Sequence, residues 1–284
     1  MLRRTFLSMA PAAAVVPQAA GVPAQAGRAK VIDAHCHLEH RGNPAWIELD
    51  RALINTADKL GIDQMCCSIV PKTRPTTLEG ARQNNEWVLD SMHRYPGRIL
   101  GYCFVNPGYY RESLEDVKRC VEEHGFVGIK VYNDYRATEP VFYPLVELTI
   151  KLRVPILFHA GHTNWLPAPG QPRISDGGHI AELARRYPES MLICGHIAGG
   201  GDWEWTAKSL RGVPNAYLDT SGSNIDQGTV ELATRIMGAD RLLFGCDMLI
   251  SASVGRLRSA EISNEDRRKI LGGNMQRILS RRNG

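Results

Sequence analysis

The stretch VIDAHCH, residues 31–37, is an apolar run that ends in two imidazoles one residue apart. In a β-strand successive side chains point to opposite faces, so His35 and His37 share a face and Cys36 takes the other. Their Cα atoms then lie about 6.6 Å apart, close enough for both rings to reach one ion. An H-x-H pair equally describes two hydrogen-bonded strand histidines, and its reading depends on what the rest of the chain places beside it.

Seven further short apolar runs follow: DQMCCSIV (63–70), RILGYCFV (98–105), FVGIKVY (126–132), VPILFHA (154–160), MLICGHI (191–197), NAYLDTS (215–221) and RLLFGCD (241–247). Each is nearly continuous in apolar residues, as suits a parallel strand covered on its outer face. Between them lie amphipathic segments with helical patterning, among them 47–61, 78–97, 111–125, 140–153, 177–188 and 229–240. Eight β/α units in roughly 250 residues predict a closed (β/α)₈ TIM barrel with right-handed crossovers. An open doubly wound sheet is the alternative, but no phosphate-binding glycine fingerprint follows the first run. The tail from Ile262 reads as an amphipathic helix, with a box-like start at Ser263 and Asp266 and a Gly-Gly break at 272 and 273. No linker or repeat divides the chain, so residues 27–284 read as one barrel domain.

The polar residues of the runs fall at their C-terminal ends, where a barrel gathers its reactive groups. His35 and His37 end the first run, Lys130 stands near the end of the fourth, His159 ends the fifth, His196 the sixth and Asp247 the eighth. As ordinary core groups, each would need its own buried hydrogen-bond partner. Gathered at one mouth, such histidines and an aspartate would offer donors to a divalent ion.

The 284 residues carry a formal charge of +4, too weak a field to argue for nucleic acid or a membrane surface. Seven cysteines, mostly inside apolar runs and with no C-x-x-C pair, read as small core residues. Residues 1–26 join Arg3 and Arg4 to an alanine-rich apolar stretch and an A-x-A site, which reads as a twin-arginine-type signal and hence export to the periplasm.

The motifs DAHCH (33–37), GIKVY (128–132), PILFHAGH (155–162), ICGHIAGG (193–200), LLFGCD (242–247) and the ending ISNEDRRKILGGNMQRIL resemble the amidohydrolase superfamily of metal-dependent (β/α)₈ enzymes. The likeness covers essentially the whole mature chain. It is to the amidohydrolase-related branch, which contains hydrolases and also the aminocarboxymuconate-semialdehyde and resorcylate decarboxylases. Position by position, the resemblance implies that His35, His37, His159 and Asp247 are metal ligands and that His196 is a catalytic or substrate-orienting residue. It implies one divalent metal, with zinc first and manganese or iron open. Lys130 either touches substrate or, as in binuclear members, bridges two metals as a carbamate.

The expected reaction is attack of activated water on a carbonyl substrate, an amide, lactone or relative. A metal lowers the pKa of bound water from 15.7 to about 7, and Asp247 takes its proton. Two alternatives stay open: non-oxidative decarboxylation of an aromatic or unsaturated acid, and a non-catalytic periplasmic binding protein. A decarboxylase should offer a positioned arginine for the carboxylate, and Arg74, Arg136 and Arg173 lie on loops near strand ends; the compactness of the chain weighs toward hydrolysis. The partner is a small molecule, and a homo-oligomer is left open. Glu39, His40, Asn106, Tyr132, Asn133, His162 and Asp219, together with Gly199–Gly201 and Trp165, Trp203 and Trp205, are secondary candidates for the rim and lining. His93, His124 and His179 read as surface positions on or beside helices.

Overall fold

A computed structural model describes residues 29–72, 76–162, 171, 173–197, 199, 201–223 and 226–283. The expected signal at 1–26, and Arg74, Trp165 and Gly200, lie outside the described residues.

All eight apolar runs form strands: β1 (Ile32–His37), β2 (Gln64–Ser68), β3 (Ile99–Phe104), β4 (Gly128–Val131), β5 (Ile156–Phe158), β6 (Leu192–Cys194), β7 (Ala216–Asp219) and β8 (Leu242–Leu243). They form one sheet in sequence order, every neighbouring pair parallel. The sheet closes on itself: Ala34 N–H donates to Phe244 O at 2.8 Å, and Cys36 forms a parallel bridge with Asp247. The Asp33 carboxylate ties this seam by accepting both the His35 and the Cys246 N–H. Closure removes the open edges that a parallel sheet would otherwise expose.

Alternation sorts the strand side chains into two cores. Ile32, Ala34, Cys66, Tyr102, Leu157, Ile193, Tyr217 and Leu243 fill the barrel interior, whereas Cys36, Met65, Cys67, Cys103, Phe158 and Cys194 pack outward against the helices. The register of β1 shifts between Asp33 and Cys36. This irregularity leaves Ala34 inside and Cys36 outside while both imidazoles turn to the mouth. All seven cysteines are buried free thiols.

The outer layer holds α1 (Trp46–Leu60), α2 (Leu78–Arg94), α3 (Tyr110–Lys118), α4 (Tyr143–Leu152), α5 (Gly177–Arg186), α6 (Trp203–Ser209), α7 (Thr229–Met237) and α8 (Ile250–Ser259). The periodicity does not single out α6 or α8, the first because it spans only seven residues and the second because its polar and apolar positions are mixed. Among the described residues, no helix is long and apolar enough to cross a membrane.

The tail differs from its sequence reading in one respect. Ser263 caps α9 (Asn264–Arg268) by accepting the Asp266 N–H, but Gly272 and Gly273 do not break the helix. The chain widens into a π-turn over Lys269–Gly273 and continues as α10 (Asn274–Ser280), whose Met275 and Ile278 plug the barrel floor. The glycine has a steric reason: a Cβ on Gly272 would lie 1.9 Å from the Lys30 carbonyl oxygen. Gly272→Ala should therefore lower unfolding free energy by about 1–3 kcal/mol, read from urea denaturation. An unchanged midpoint would refute this close approach.

Candidate metal centre

The polar residues at or just past the C-terminal ends of β1, β4, β5, β6, β7 and β8 (His35, His37, Lys130, His159, His196, Asp219 and Asp247) come together at one end of the barrel. Two of these residues, His196 and Asp247, hold φ of 70° and 54°, a left-handed backbone that costs a non-glycine residue on the order of 1–3 kcal/mol. Hydrogen bonds hold both: His196 N–H donates to Asp219 Oδ1 at 3.0 Å, and Asp247 N–H to His35 O at 2.6 Å.

Second partners fix the tautomers of the first imidazole pair. His35 Nδ1–H donates to Asp219 Oδ2 at 2.7 Å, both groups fully buried. His37 Nδ1 lies 3.2 Å from the Ser68 carbonyl and 3.1 Å from its hydroxyl. With both Nδ1 atoms protonated, the two Nε2 lone pairs face each other at 3.2 Å. Asp247 Oδ1 closes the group, 3.1 Å from His37 Nε2 and 3.9 Å from His35 Nε2. These three ligand atoms lie within 4.8 Å of one another. Two lone pairs and an anionic oxygen repel unless a cation stands among them. Two nitrogens sharing one ion at ~2.1 Å with an angle near 100° are themselves about 3.2 Å apart.

Protonation agrees with this. Burial is the main cause that lowers His35 to about 4, and it lowers His37 as well, so both rings are neutral near pH 7 and each can offer an Nε2 lone pair. For Asp247, desolvation pushes upward, but the imidazoles packed around it, His37 first and then His35 and His196, hold the group well below the usual carboxylate range. Lys130, only 1% exposed, is lowered to about 8 by desolvation, which Asp247 and Asp219 oppose. Its Nζ stands 2.8 Å from His35 Nε2. Two carboxylates and one ammonium leave the centre with one net negative charge, which suits a divalent cation.

His196 and His159 adjoin this group. His196 Nε2 lies 3.0 Å from His159 Nδ1, and His196 Nδ1 lies 3.6 Å from Asp247 Oδ2. Desolvation lowers His196 to about 4 and pushes His159 down as well. His159 stacks on Tyr132 at 4.1 Å between ring centroids, and its Nε2 faces Gln171 Oε1 at 3.1 Å. The structure therefore brings His35, His37 and Asp247 into one tight group and places His159 beside it, across His196.

Asp219 carries more than the lining role its sequence position suggests. Its Oδ1 accepts from His196 N, Ser221 N and Ser221 Oγ, and its Oδ2 from His35 Nδ1. Ser68 and Ser221 were not singled out at all. The signal that marks Asp247, a carboxylate at a strand's C-terminal end, also marks Asp219.

The remaining candidates divide. His162 shares Asp176 with His179, which closes a capping box on α5, and stacks on Trp205 at 5.0 Å. His40 stacks between Trp46 and Trp87. Asn106 binds the Thr76 carbonyl. Asn133 is buried, and its Nδ2 has no hydrogen-bond partner. Glu39 pairs with Arg41 at 3.3 Å, and Trp203 Nε1–H donates to Asp226. Arg173 is bound to Glu139 and lies over Tyr135, and Arg136 is exposed.

The closed parallel barrel with a histidine and carboxylate mouth defines a class: residues 32–281 match the amidohydrolase family (Amidohydro_2), and the chain belongs to it. It is an enzyme of the amidohydrolase superfamily. The gamma-resorcylate decarboxylase of Polaromonas sp. strain JS666 is 26% identical over 301 residues, spanning 82% of this chain and 90% of the relative. That of Rhizobium sp. strain MTP-10005 is 24% identical over the same shares. Among solved structures, dihydroxybenzoic acid decarboxylase from Polaromonas sp. JS666, with bound manganese and 2-nitroresorcinol, superposes with TM-score 0.68 at 23% identity, over 89% of this chain and 97% of that one.

These relatives overturn the expectation of carbonyl hydrolysis and agree with its decarboxylation alternative. The physical reason is that the same donor set holds either a water or a substrate oxygen, so ligand types alone do not select the bond that breaks. Nor does the compactness of the chain favour hydrolysis, because the aligned region spans 90% of the first relative.

Proposed function

We propose that the chain is a non-oxidative decarboxylase of an aromatic acid bearing a hydroxyl next to its carboxylate, dependent on one divalent ion, manganese in place of the zinc first expected. The observation that carries the reading is Lys130. Among the described residues it is the only lysine or arginine that is buried, and its Nζ lies 2.8 Å from His35 Nε2, one of the three converging ligand atoms. A buried ammonium is costly unless an anion uses it, and a substrate carboxylate or phenolate is such an anion. With a divalent ion the centre changes from one net negative to one net positive charge, which a monoanionic acid neutralises. The decarboxylases that resemble this chain, and the manganese in one of their structures, support the same choice.

His35 Nε2, His37 Nε2 and Asp247 would hold the ion, with His159, the fourth member of the family pattern, beside them. The ion would supply positive charge to a phenolate and carboxylate oxygen. The protein groups do the rest. Lys130 pairs with the acid's negative charge, and the stacked Tyr132 and His159 rings give the aromatic ring a flat wall. Asp247, whose side chain is 25% exposed at the mouth, takes the phenolic proton and returns it to the ring carbon. The electron pair of the breaking C–C bond forms the new C–H bond, CO₂ departs, and the product phenolate regains a proton from water. His196, whose Nδ1 lies 3.6 Å from Asp247 Oδ2, orients the acid. The use of one ion is supported by His35 Nδ1, which is spent on Asp219 and so is closed to a second. Arg3 and Arg4 support export in the twin-arginine manner, and we place the enzyme in the periplasm on that ground.

The test is CO₂ release from 2,6-dihydroxybenzoate and other ortho-hydroxybenzoates by the full chain loaded with Mn²⁺. Turnover should vanish with chelator and return with Mn²⁺. A fully loaded enzyme that releases CO₂ from none of these acids would overturn the reading.

A further inference from the structure

Helix α8 leaves the Asp247 loop and reaches the loop that follows β7. From it the partly buried Arg256 donates through Nη1 to Thr220 O at 2.7 Å and through Nη2 to Gly222 O at 2.9 Å. These two carbonyls flank Ser221, which is fully buried. Ser221 N–H donates to Asp219 Oδ1 at 2.9 Å, and its hydroxyl donates to the same oxygen at 2.5 Å. The same hydroxyl oxygen lies 3.0 Å from His196 Nδ1.

The hydrogens can be assigned from this geometry. Asp219 receives four donors, three on Oδ1 and one on Oδ2, an arrangement that only an ionised, acceptor-only carboxylate satisfies. Ser221 has one hydroxyl hydrogen, and Asp219 takes it. Toward His196 the Ser221 oxygen is thus left as an acceptor, and His196 Nδ1 must carry the ring proton. In the neutral ring His196 Nε2 is then a bare lone pair, 3.0 Å from His159 Nδ1. Were Ser221 free to turn, the ring could exchange its proton between the two nitrogens, and the face it offers to substrate would reverse from acceptor to donor.

We propose that Arg256 and Ser221 form a positioning relay for His196, in which the guanidinium fixes the two carbonyls around Ser221 and Ser221 fixes the tautomer and orientation of the catalytic imidazole. The relay crosses from the outer helical layer to the mouth in one residue, and it joins the β7 loop that holds Asp219 to the helix that begins just after Asp247. Both site residues with strained backbone, His196 and Asp247, are thereby tied to one frame. A staple for the loop alone would need the two carbonyls but would not need the Ser221 hydroxyl.

The effect on turnover rests on the decarboxylase reading, but the effect on the ring does not. Ring ¹⁵N shifts of His196, recorded on the full chain loaded with diamagnetic Mg²⁺ or Zn²⁺, should show a protonated Nδ1 and a bare Nε2. Ser221→Ala should move them toward a tautomer mixture, and Ser221→Thr should restore them. Arg256→Met should shift them the same way without touching Ser221. In Mn²⁺-loaded enzyme the kcat for CO₂ release should fall by roughly 10- to 100-fold in Ser221→Ala with KM little changed, as for other partners that orient site histidines. The double variant should be no worse than Ser221→Ala alone, because both changes break one relay. Unchanged ring shifts in Ser221→Ala and Arg256→Met would overturn the proposal, and so would multiplicative losses in the double variant. If wild-type enzyme releases no CO₂ but its ring shifts behave as stated, the relay stands and the substrate reading falls.

Discussion

Asp247→Asn should abolish CO₂ release, with a fall of about 10⁴-fold in kcat, while the chain remains folded. The substitution isolates chemistry from architecture because asparagine has the same shape and tolerates the left-handed backbone found here at φ 54°. The backbone bond from residue 247 to His35 O is untouched. What disappears is the negative charge that faces His37 Nε2 at 3.1 Å, together with the group that can take and return a proton. An amide does neither at neutral pH. The enzyme should bind its ion more weakly, so turnover is to be measured with manganese at saturation and metal content determined on the same sample. If a saturated Asp247→Asn enzyme kept even a tenth of the native rate, neither the proton shuttle nor the ligand role assigned to this residue would survive.

The barrel was legible because its strands are buried on both faces and so leave continuous apolar runs; even β8, two residues long, is announced by LLFG. The mouth was legible for a related reason, since His35, His37, Lys130, His159, His196 and Asp247 interrupt those runs at their ends. What could not be read is everything that depends on contacts between distant segments. Asp219 meets His35 across 184 positions and Ser68 meets His37 across 31, and neither serine nor aspartate at a strand end declares its partner. Gly272 was misjudged as a helix break because its cause, the Lys30 carbonyl, lies on the far side of the closed barrel. The reaction was misjudged for a chemical reason. Three imidazoles and a carboxylate describe a charge and a geometry, and the feature that favours a carboxylate substrate is the burial of Lys130, which only the folded chain reveals.

Asp219→Asn should weaken metal binding by roughly 10- to 100-fold without removing any atom that touches the ion. Four donors converge on this carboxylate, and an amide offers them one oxygen and an NH₂. If the amide oxygen keeps the place of Oδ1, its NH₂ opposes His35 Nδ1–H at the 2.7 Å contact, donor against donor. His35 can relieve that clash only by moving its proton to Nε2, the lone pair that faces His37 and Asp247, and so closing the nitrogen the ion needs. If the amide turns the other way, its NH₂ opposes three donors at once and the His196 backbone loses its anchor. Either orientation breaks a fully buried charged network, a change that costs on the order of 3–5 kcal/mol. The loss of affinity should appear in competitive titration against a chelator, and the loss of stability in urea unfolding of the metal-free chain, so that each is read apart from the other. Native metal affinity in Asp219→Asn would mean that the His35 tautomer is set elsewhere, and the assignment of its Nε2 to the ion would have to be withdrawn.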